Sequence, residues 1–233
     1  MNFALILAGG IGTRMGSNKP KQFLNLGNKP ILIHTIEKFI ILDDFKEIIV
    51  LTPKEWLNYT KDLVKDYNFN NNVRVIEGGD LRIDTVNKGM EYILENFEDD
   101  NPIIVTHDAV RPFVSHKIIK ENIKYAKKYG ACDTVVLATD TIVESDNHKI
   151  VSNIPVRDCM YQGQTPQSFE LNKLKLFYDN LDENEKIKLT DACKLFILND
   201  ENVFLVEGNV SNIKITHPFD LKVANFILEG YND

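Results

Sequence analysis

The sequence of 233 residues has only three cysteines, Cys132, Cys159 and Cys193. They lie far apart, without the spacing of a metal site, and their odd number does not form a complete disulfide framework. No apolar run approaches the roughly 20 residues that a membrane-spanning helix needs. The first residues also lack the basic stretch and the cleavage site of a secretory signal. We therefore expect a reduced, cytoplasmic protein that does not enter a membrane.

Acidic residues are missing from one part of an otherwise acidic chain. The net charge of −7 argues against a general nucleic-acid-binding protein. Residues 1–36 nevertheless contain Arg14, Lys19, Lys21 and Lys29, with no Asp or Glu among them. An anionic ligand is therefore expected to bind in this first segment.

Short apolar runs alternate with amphipathic segments along most of the chain. The run EIIVLT is typical of a buried strand, and the segment DLRIDTVNKGMEYILENF has helical spacing, with Ile83, Val86, Met90 and Ile93 on one face. This alternation predicts an α/β fold with a mostly parallel sheet and helices on both faces. The length predicts a single domain over residues 1–233.

The alternation stops between residues 134 and 169, where no helical pattern occurs. Within this stretch, IVESDNHKIV predicts a β-hairpin with Asp146 and Asn147 in its turn. A hairpin that leaves an α/β sheet has open edges, which need a partner. We therefore interpret residues 139–158 as an arm and expect it to join two copies of the chain in a homodimer.

A glycine-rich loop follows the first strand, FALILAG, and matches neither common phosphate-binding fingerprint. The last glycine of GxGxxG is replaced by methionine, and the Walker pattern is also absent. Gly9, Gly10 and Gly12 still allow the backbone to approach a phosphate, and Arg14 and Lys21 add positive charge. The loop therefore predicts an exposed triphosphate site. A glycine turn with solvated basic residues is the alternative.

Three more motifs suggest ligand contacts. THDAVRP places Asp108 at the carboxyl end of a strand, where a carboxylate beside a triphosphate indicates Mg²⁺; a structural cap is the alternative. EGGDLRIDT places Gly79 and Asp80 after another strand, and Asp80 is equally suited to cap the next helix. NIKIT places Lys214 in an apolar strand, where an isolated lysine is costly, so a phosphate contact is expected.

Together these motifs resemble the nucleotidyltransferase family, and specifically the cytidylyltransferases that act on sugar or polyol phosphates. Six motifs occur in order over nearly the whole chain: LAGGIGTRMG…PKQF, EGGDLRIDTV, HDAVRPF, QTPQSF, LTDACK and NIKIT. The resemblance implies a Rossmann-like, glycosyltransferase-A-like fold, CTP as the donor, Mg²⁺ as the cofactor and a homodimer joined through the arm.

Two related families differ in their acceptor. The motifs THDAVRPF, IPVRDCMYQGQTPQSF and LTDACK look more like the ribitol-5-phosphate cytidylyltransferases, which form CDP-ribitol and pyrophosphate for teichoic acid or capsule synthesis. The alternative is a methylerythritol-4-phosphate cytidylyltransferase of isoprenoid synthesis. A catalytically silent nucleotide-binding regulator is disfavoured, because Lys21 and Asp108 are both present.

The chemistry and the resemblance together assign expected roles. The acceptor phosphate is already an anion, so no general base is needed, and the barrier is mainly electrostatic. Arg14 and Lys21 are the expected catalytic residues, and Asp108 is the expected metal ligand. The residues expected to bind the nucleotide are Ala8, Gly9, Gly10, Gly12, Gly79, Asp80, Thr85 and Lys214. The residues expected to bind the acceptor are Arg111, Thr141, Thr165, Thr190 and Arg157, the last in the partner subunit's site.

Overall fold

The computed structural model describes residues 1–10, 19–69, 72–189 and 191–230. Within these ranges the strands are β1 Asn2–Leu7, β2 Asn25–Leu26, β3 Lys29–Pro30, β4 Glu47–Thr52, β5 Val73–Glu77, β6 Ile103–Asp108, β7 Ala131–Leu137, β8 Tyr161–Glu170 and β9 Phe204–Glu207. The α-helices are α1 Ile31–Ile40, α2 Leu57–Asp66, α3 Arg82–Asn96, α4 His116–Tyr129, α5 Leu171–Asp179, α6 Glu183–Lys188, α7 Cys193–Leu198 and α8 Pro218–Gly230. Short 3₁₀ helices cover Lys21–Phe23, Lys54–Trp56 and Arg157–Cys159.

The main sheet is mostly parallel, as predicted. Its seven described strands lie in the order β5-β4-β1-β6-β8-β7-β9. Strand β1 pairs in parallel with β4 and β6, whereas β8 runs antiparallel to both β6 and β7. Every residue of β1, β4 and β6 is buried, as expected for strands that are covered on both faces.

Helices cover both faces of this sheet and bury two separate apolar clusters. One cluster joins the sheet to α1, α2 and α4, and the other joins it to α3, α5 and α7. The predicted inner face of α3 is confirmed, because Ile83, Val86, Met90 and Ile93 are all buried. The segment SHKIIKENIKYAKKYG predicts a helix that begins after a serine cap and ends at a glycine, and α4 has both ends: Ser115 Oγ accepts from the Ile118 amide, and Gly130 follows the helix with a φ of 86°.

The predicted hairpin is present, but its pairing is short. Glu144 and Asn153 form one antiparallel bridge, and Asn147 Oδ1 accepts from the amides of Lys149 and Ile150 in the turn. Apolar side chains on either side of the bridge are exposed instead of packing against the sheet. They are Val143, Ile150, Val151, Ile154 and Val156.

The segment NIKIT forms no strand, which corrects the prediction for Lys214. Residues 213–216 have no regular secondary structure, and the Ile215 amide donates to the Val110 carbonyl. The Lys214 side chain is 44% exposed, so burial in an apolar strand is not what constrains it. Among the described helices, none has the length and apolar character required to cross a bilayer.

Candidate functional site

The carboxyl ends of β1, β5 and β6 open into a cavity of about 300 Å³. This is where ligands bind in open α/β sheets, and the volume is sufficient for a small molecule. Arg82 also lines the cavity, together with nine residues that the sequence predicted for the site. These nine are Ala8, Gly9, Gly10, Lys21, Gly79, Asp80, Thr85, Asp108 and Lys214.

The parallel register brings the first glycine loop and the HDAVRP motif together. Leu7, the last residue of β1, pairs with Asp108 at the end of β6. The Ala8 amide donates to the Leu51 carbonyl, so the chain is held in the sheet until the glycines begin. A Cβ built on Gly9 would have no neighbour within 4 Å among the described residues, which leave the cavity open at this point.

Lys21 enters the cavity from a short helix that is attached to β1. The Gln22 side chain donates to the Ala8 carbonyl at 2.6 Å, which fixes this helix beside the glycines. Lys21 itself is only 8% exposed, so it does not lie in an exposed loop as predicted. Partial exclusion of water strengthens the attraction between its charge and an anion in the cavity.

The loop between β5 and α3 is closely packed around Gly79. The Thr85 hydroxyl accepts from the Gly79 amide and lies 3.0 Å from the Leu81 carbonyl. A Cβ at Gly79 would lie 2.5 Å from Asp84 Cβ, so only glycine fits. Asp80 does not cap α3, because Leu81 is the N-cap residue and no described side chain caps the helix.

Asp108 is the buried centre of a charge cluster. Its carboxylate lies 2.6 Å from Arg82, 2.9 Å from Lys214 and 3.4 Å from Arg111. Burial by itself raises the pKa of Asp108, but attraction to Arg82, Lys214 and Arg111 outweighs burial and holds the pKa well below its usual range. The carboxylate is therefore ionised, with three cations around it.

Sequence reasoning missed Arg82. Its motif, EGGDLRIDT, was singled out, but no sequence pattern shows that the arginine side chain crosses to Asp108, which lies 26 positions further along the chain. The only available signal was an arginine at the start of a helix that follows a glycine loop.

Hydrogen bonds behind the cavity hold the end of β6 in place. Arg111 is buried and donates to the Asn212 carbonyl at 2.7 Å. The Thr165 hydroxyl accepts from the Asp108 amide and contacts His107 Nδ1 at 3.0 Å. Burial lowers the pKa of His107 to about 4, so this imidazole is neutral near pH 7. The described contacts of Thr165 are structural, and its acceptor-binding role remains a prediction.

The other predicted acceptor-binding residues do not line this cavity. Thr141 and Arg157 are exposed in the arm. Arg157 Nε lies 3.8 Å from the Asp158 carboxylate, so within its own chain this arginine forms an ion pair. Three predicted residues lie outside the described residues: Gly12, Arg14 and Thr190.

The described residues fit a magnesium ion held mainly by substrate. No three His, Cys, Asp or Glu side chains in the described ranges lie close enough to form a metal cage. Mg²⁺ in phosphate-transfer sites commonly takes one or two carboxylates and completes its coordination with phosphate oxygens and water. Asp108 is ionised and lines the cavity, so its donor chemistry matches such an ion.

Comparison with known proteins gives a consistent result over the full length. Residues 3–230 match the family model of IspD, 2-C-methyl-D-erythritol 4-phosphate cytidylyltransferase. The structure is similar to that of the Anaerococcus prevotii 4-diphosphocytidyl-2C-methyl-D-erythritol synthase, with 28% identity, coverage of 98% of this chain and 96% of the other, and a TM-score of 0.81. The Francisella tularensis 2-C-methyl-D-erythritol 4-phosphate cytidylyltransferase (IspD) has 29% identity, 97% and 98% coverage and a TM-score of 0.81.

A third solved structure is also similar over nearly the whole chain. The Thermus thermophilus 2-C-methyl-D-erythritol 4-phosphate cytidylyltransferase is 25% identical, with 98% of this chain and 100% of the other covered and a TM-score of 0.75. The family match extends over both glycine loops, the charge cluster and the last helix. The chain therefore belongs to the IspD family and is a CTP-using cytidylyltransferase, a nucleotidyltransferase.

Proposed function

We propose that the chain transfers CMP from CTP to the phosphate of a short polyol phosphate and releases pyrophosphate. The observation that carries this proposal is the cluster of Arg82, Arg111 and Lys214 around Asp108, at the edge of a cavity that also contains Lys21. A triphosphate and an attacking phosphate monoester repel each other strongly, and a group of fixed cations offsets that repulsion.

Lys21 and Arg14 are proposed to stabilise the negative charge at the reacting α-phosphorus. Lys21 is held near the glycines by the Gln22 hydrogen bond to Ala8, so its charge is positioned in advance. The acceptor phosphate is the nucleophile and is already anionic, so no side chain has to remove a proton. Removal of one such charged contact typically costs roughly 3–4 kcal/mol of transition-state stabilisation.

The β5–α3 loop is proposed to bind the cytidine. Gly79 allows a close approach, and Thr85 holds the loop in shape through its hydrogen bonds to Gly79 and Leu81. Cytosine presents two acceptors and one amino donor, a pattern that backbone groups in a tight loop can select. Asp108 would hold Mg²⁺, which supplies further neutralisation of the phosphates when it is bound.

The acceptor is better supported as methylerythritol 4-phosphate than as ribitol 5-phosphate. The matched family model and the three similar structures named above all carry the methylerythritol name. Identities of 25–29% support the shared chemistry but leave room for a different acceptor.

Ribitol 5-phosphate is the second candidate because of one feature of β8. The stretch MYQGQTPQSF has Gly163 in an exposed position, where the one described neighbour of an added Cβ would be the Asp133 carboxylate, at 3.9 Å. This leaves space for a longer, hydroxyl-rich molecule. Gln164 does not contribute to it, because its side chain is bonded to Asn209 and Asn212.

The test is a pyrophosphate-release assay of the purified chain with CTP, Mg²⁺ and each acceptor in turn, with kcat/KM compared under one set of conditions. ATP, GTP and UTP serve as controls for the donor. We expect CTP to be preferred strongly and one of the two polyol phosphates to be the better acceptor. Equal rates with ATP or GTP would overturn the cytidine assignment, and no transfer to either acceptor would overturn the proposed function.

A further inference from the structure

A close ion pair joins Arg82 to Asp108 at the edge of the cavity. The Arg82 guanidinium lies 2.6 Å from Asp108 Oδ1. The nearest contacts of Lys214 and Arg111 are to the other oxygen, Oδ2, at 2.9 and 3.4 Å. The two oxygens of this buried carboxylate therefore differ, because Arg82 makes its contact on one side and the other two cations make theirs on the opposite side.

The contact with Arg82 disfavours a divalent metal ion on the same oxygen. Mg²⁺ lies about 2.1 Å from its oxygen ligands, so an ion on Oδ1 would come within roughly 5 Å of the Arg82 guanidinium. Positive charges at such a distance repel strongly where water is partly excluded. Lys214 and Arg111 add to this repulsion. Three cations thus already surround one carboxylate, and its charge does not suffice for a further positive ion.

Of these cations, Arg82 is the one whose movement would free Oδ1. Its side chain is 31% exposed and lines the cavity. Arg111 is only 10% exposed and also donates to the Asn212 carbonyl, so it is fixed in place. Lys214 is exposed too, but its nearest contact is to Oδ2. Arg82 can therefore turn toward a ligand in the cavity while the other oxygen keeps its partners.

The start of α3 is an unfavourable place for the positive charge of Arg82. Arg82 is the first residue of this helix, no described side chain caps this end, and the helix dipole is positive there. Asp84 also lies in the first turn, but it accepts from the Tyr178 hydroxyl. A triphosphate carries several negative charges, and its oxygens match the forked donors of an arginine. It therefore competes well with Asp108 for Arg82.

We propose that Arg82 is a positioning residue that holds Asp108 Oδ1 until a nucleoside triphosphate binds and then transfers to the phosphates, so that Asp108 accepts a divalent metal ion only together with the nucleotide. This inference rests on the function proposed above, in which CTP is the donor and Asp108 is the metal ligand. One side chain then couples the two binding events. By linkage, each ligand increases the affinity of the chain for the other.

Direct metal binding tests the proposal without any turnover. Mn²⁺ takes the same oxygen ligands as Mg²⁺. It is titrated into the purified chain without nucleotide, and the unbound ion is measured by electron paramagnetic resonance. We expect Arg82→Met to bind Mn²⁺ at least about tenfold more tightly than the wild type, because a competing cation has been removed. Arg82→Lys keeps the charge and should stay closer to the wild type.

Two further variants show which carboxylate is responsible. Adding Asp108→Asn to Arg82→Met should remove the gain in affinity, which separates Asp108 from weak binding elsewhere on an acidic chain. Arg74→Met is the matched control. Arg74 also pairs with a carboxylate, that of Glu47 at 3.7 Å, but neither residue lines the cavity. Its loss should leave Mn²⁺ binding unchanged.

A second titration, with saturating CTP, tests the transfer of Arg82. The wild type and Arg82→Met should now bind Mn²⁺ with similar affinity, because Arg82 has left Asp108 in the wild type. A tenfold difference that persists with CTP would contradict the transfer. Equal affinities without nucleotide, or a wild-type chain that already binds Mn²⁺ through Asp108, would overturn the proposal.

The proposed function fails by a different result, namely a wild-type chain that transfers CMP to neither acceptor. A thermal melt of each variant establishes that it is folded. If Arg82→Met does not fold, Arg82→Gln, which also removes the charge, takes its place in both titrations.

Discussion

Single side chains determine the charge of the candidate active site, and Lys21 is the one whose effect on catalysis is easiest to isolate. It lies two positions after Lys19, which is placed over the Tyr59 ring at 4.8 Å and does not line the cavity. The two lysines therefore share a segment, but of the two Lys21 lines the cavity and Lys19 does not.

We expect Lys21→Met to lower kcat by roughly 100- to 1000-fold, because it removes a positioned cation from the reacting phosphates. Methionine retains most of the apolar stem, so the fold should be preserved. Lys19→Met is the matched control and should leave kcat close to wild type. Steady-state kinetics and a thermal melt of each variant check this, and wild-type turnover by folded Lys21→Met would place the chemistry elsewhere.

Asp133 gives a prediction about stability and pH. Burial raises its pKa from 3.8 to about 7, so the folded chain retains a proton that the unfolded chain loses between these values. The free energy of unfolding contributed by this group therefore falls as the pH rises from about 4 to 7.

Asp133→Asn removes this dependence. The melting temperature of the variant minus that of the wild type should therefore increase from pH 5 to pH 7.5. His107 titrates in the opposite sense, because burial lowers its pKa to about 4, but it is present in both proteins and cancels in the comparison. A difference that is independent of pH would show that Asp133 is ionised normally.

Strands, loops and helices were easier to predict from sequence than individual contacts. The buried face of α3 was predictable from the spacing of its apolar residues, and the two ends of α4 were predictable from a serine at the start and a glycine at the end. These are local properties of the sequence. NIKIT has strand-like composition, which predicts a strand at Lys214, yet residues 213–216 form no strand and the Ile215 amide donates to the Val110 carbonyl. The contact of Arg82 with Asp108 depends on tertiary structure, so no local pattern reports it.

The β5–α3 loop is the element with the strictest steric requirement. Gly79→Ala would place a Cβ 2.5 Å from Asp84 Cβ and 2.8 Å from the Asp84 backbone carbon, so the start of α3 must move. We expect a loss of about 1–3 kcal/mol of stability, typical of overpacking, together with weaker CTP binding. Gly9→Ala is the control for stability, since no described residue lies within 4 Å of the Cβ that it would add. Chemical denaturation measures the free energy of unfolding of both variants. Equal stability of the two would contradict the expected clash.

At the scale of the whole molecule, the arm (residues 139–158) has an apolar surface that the rest of its own chain leaves exposed. Its exposed Val143, Ile150, Val151, Ile154 and Val156 form an apolar surface that water disfavours, and we propose that a second copy of the chain covers it. Arg157, at the end of the arm and outside its own chain's cavity, would then act in the partner subunit's site.

Co-expression of Lys21→Met and Arg157→Ala chains tests this arrangement. Each variant alone should be nearly inactive, whereas random pairing should restore about a quarter of wild-type activity, because half of the dimers contain one intact site of two. Sedimentation over a range of concentrations provides the independent measure of assembly. A fully active monomer, or a mixture that remains inactive, would exclude an exchanged Arg157.

Asp108 gathers Arg82, Arg111 and Lys214 around a negative charge that belongs to the protein itself. Without that carboxylate the three cations would repel one another and turn toward water. In the proposed function, an arriving triphosphate would therefore meet cations whose positions folding has already fixed, and it would replace an internal anion as well as solvent. When pyrophosphate leaves, the same carboxylate would again balance the charge of these cations. A site with enough positive charge to attract its donor can in this way still release its most highly charged product.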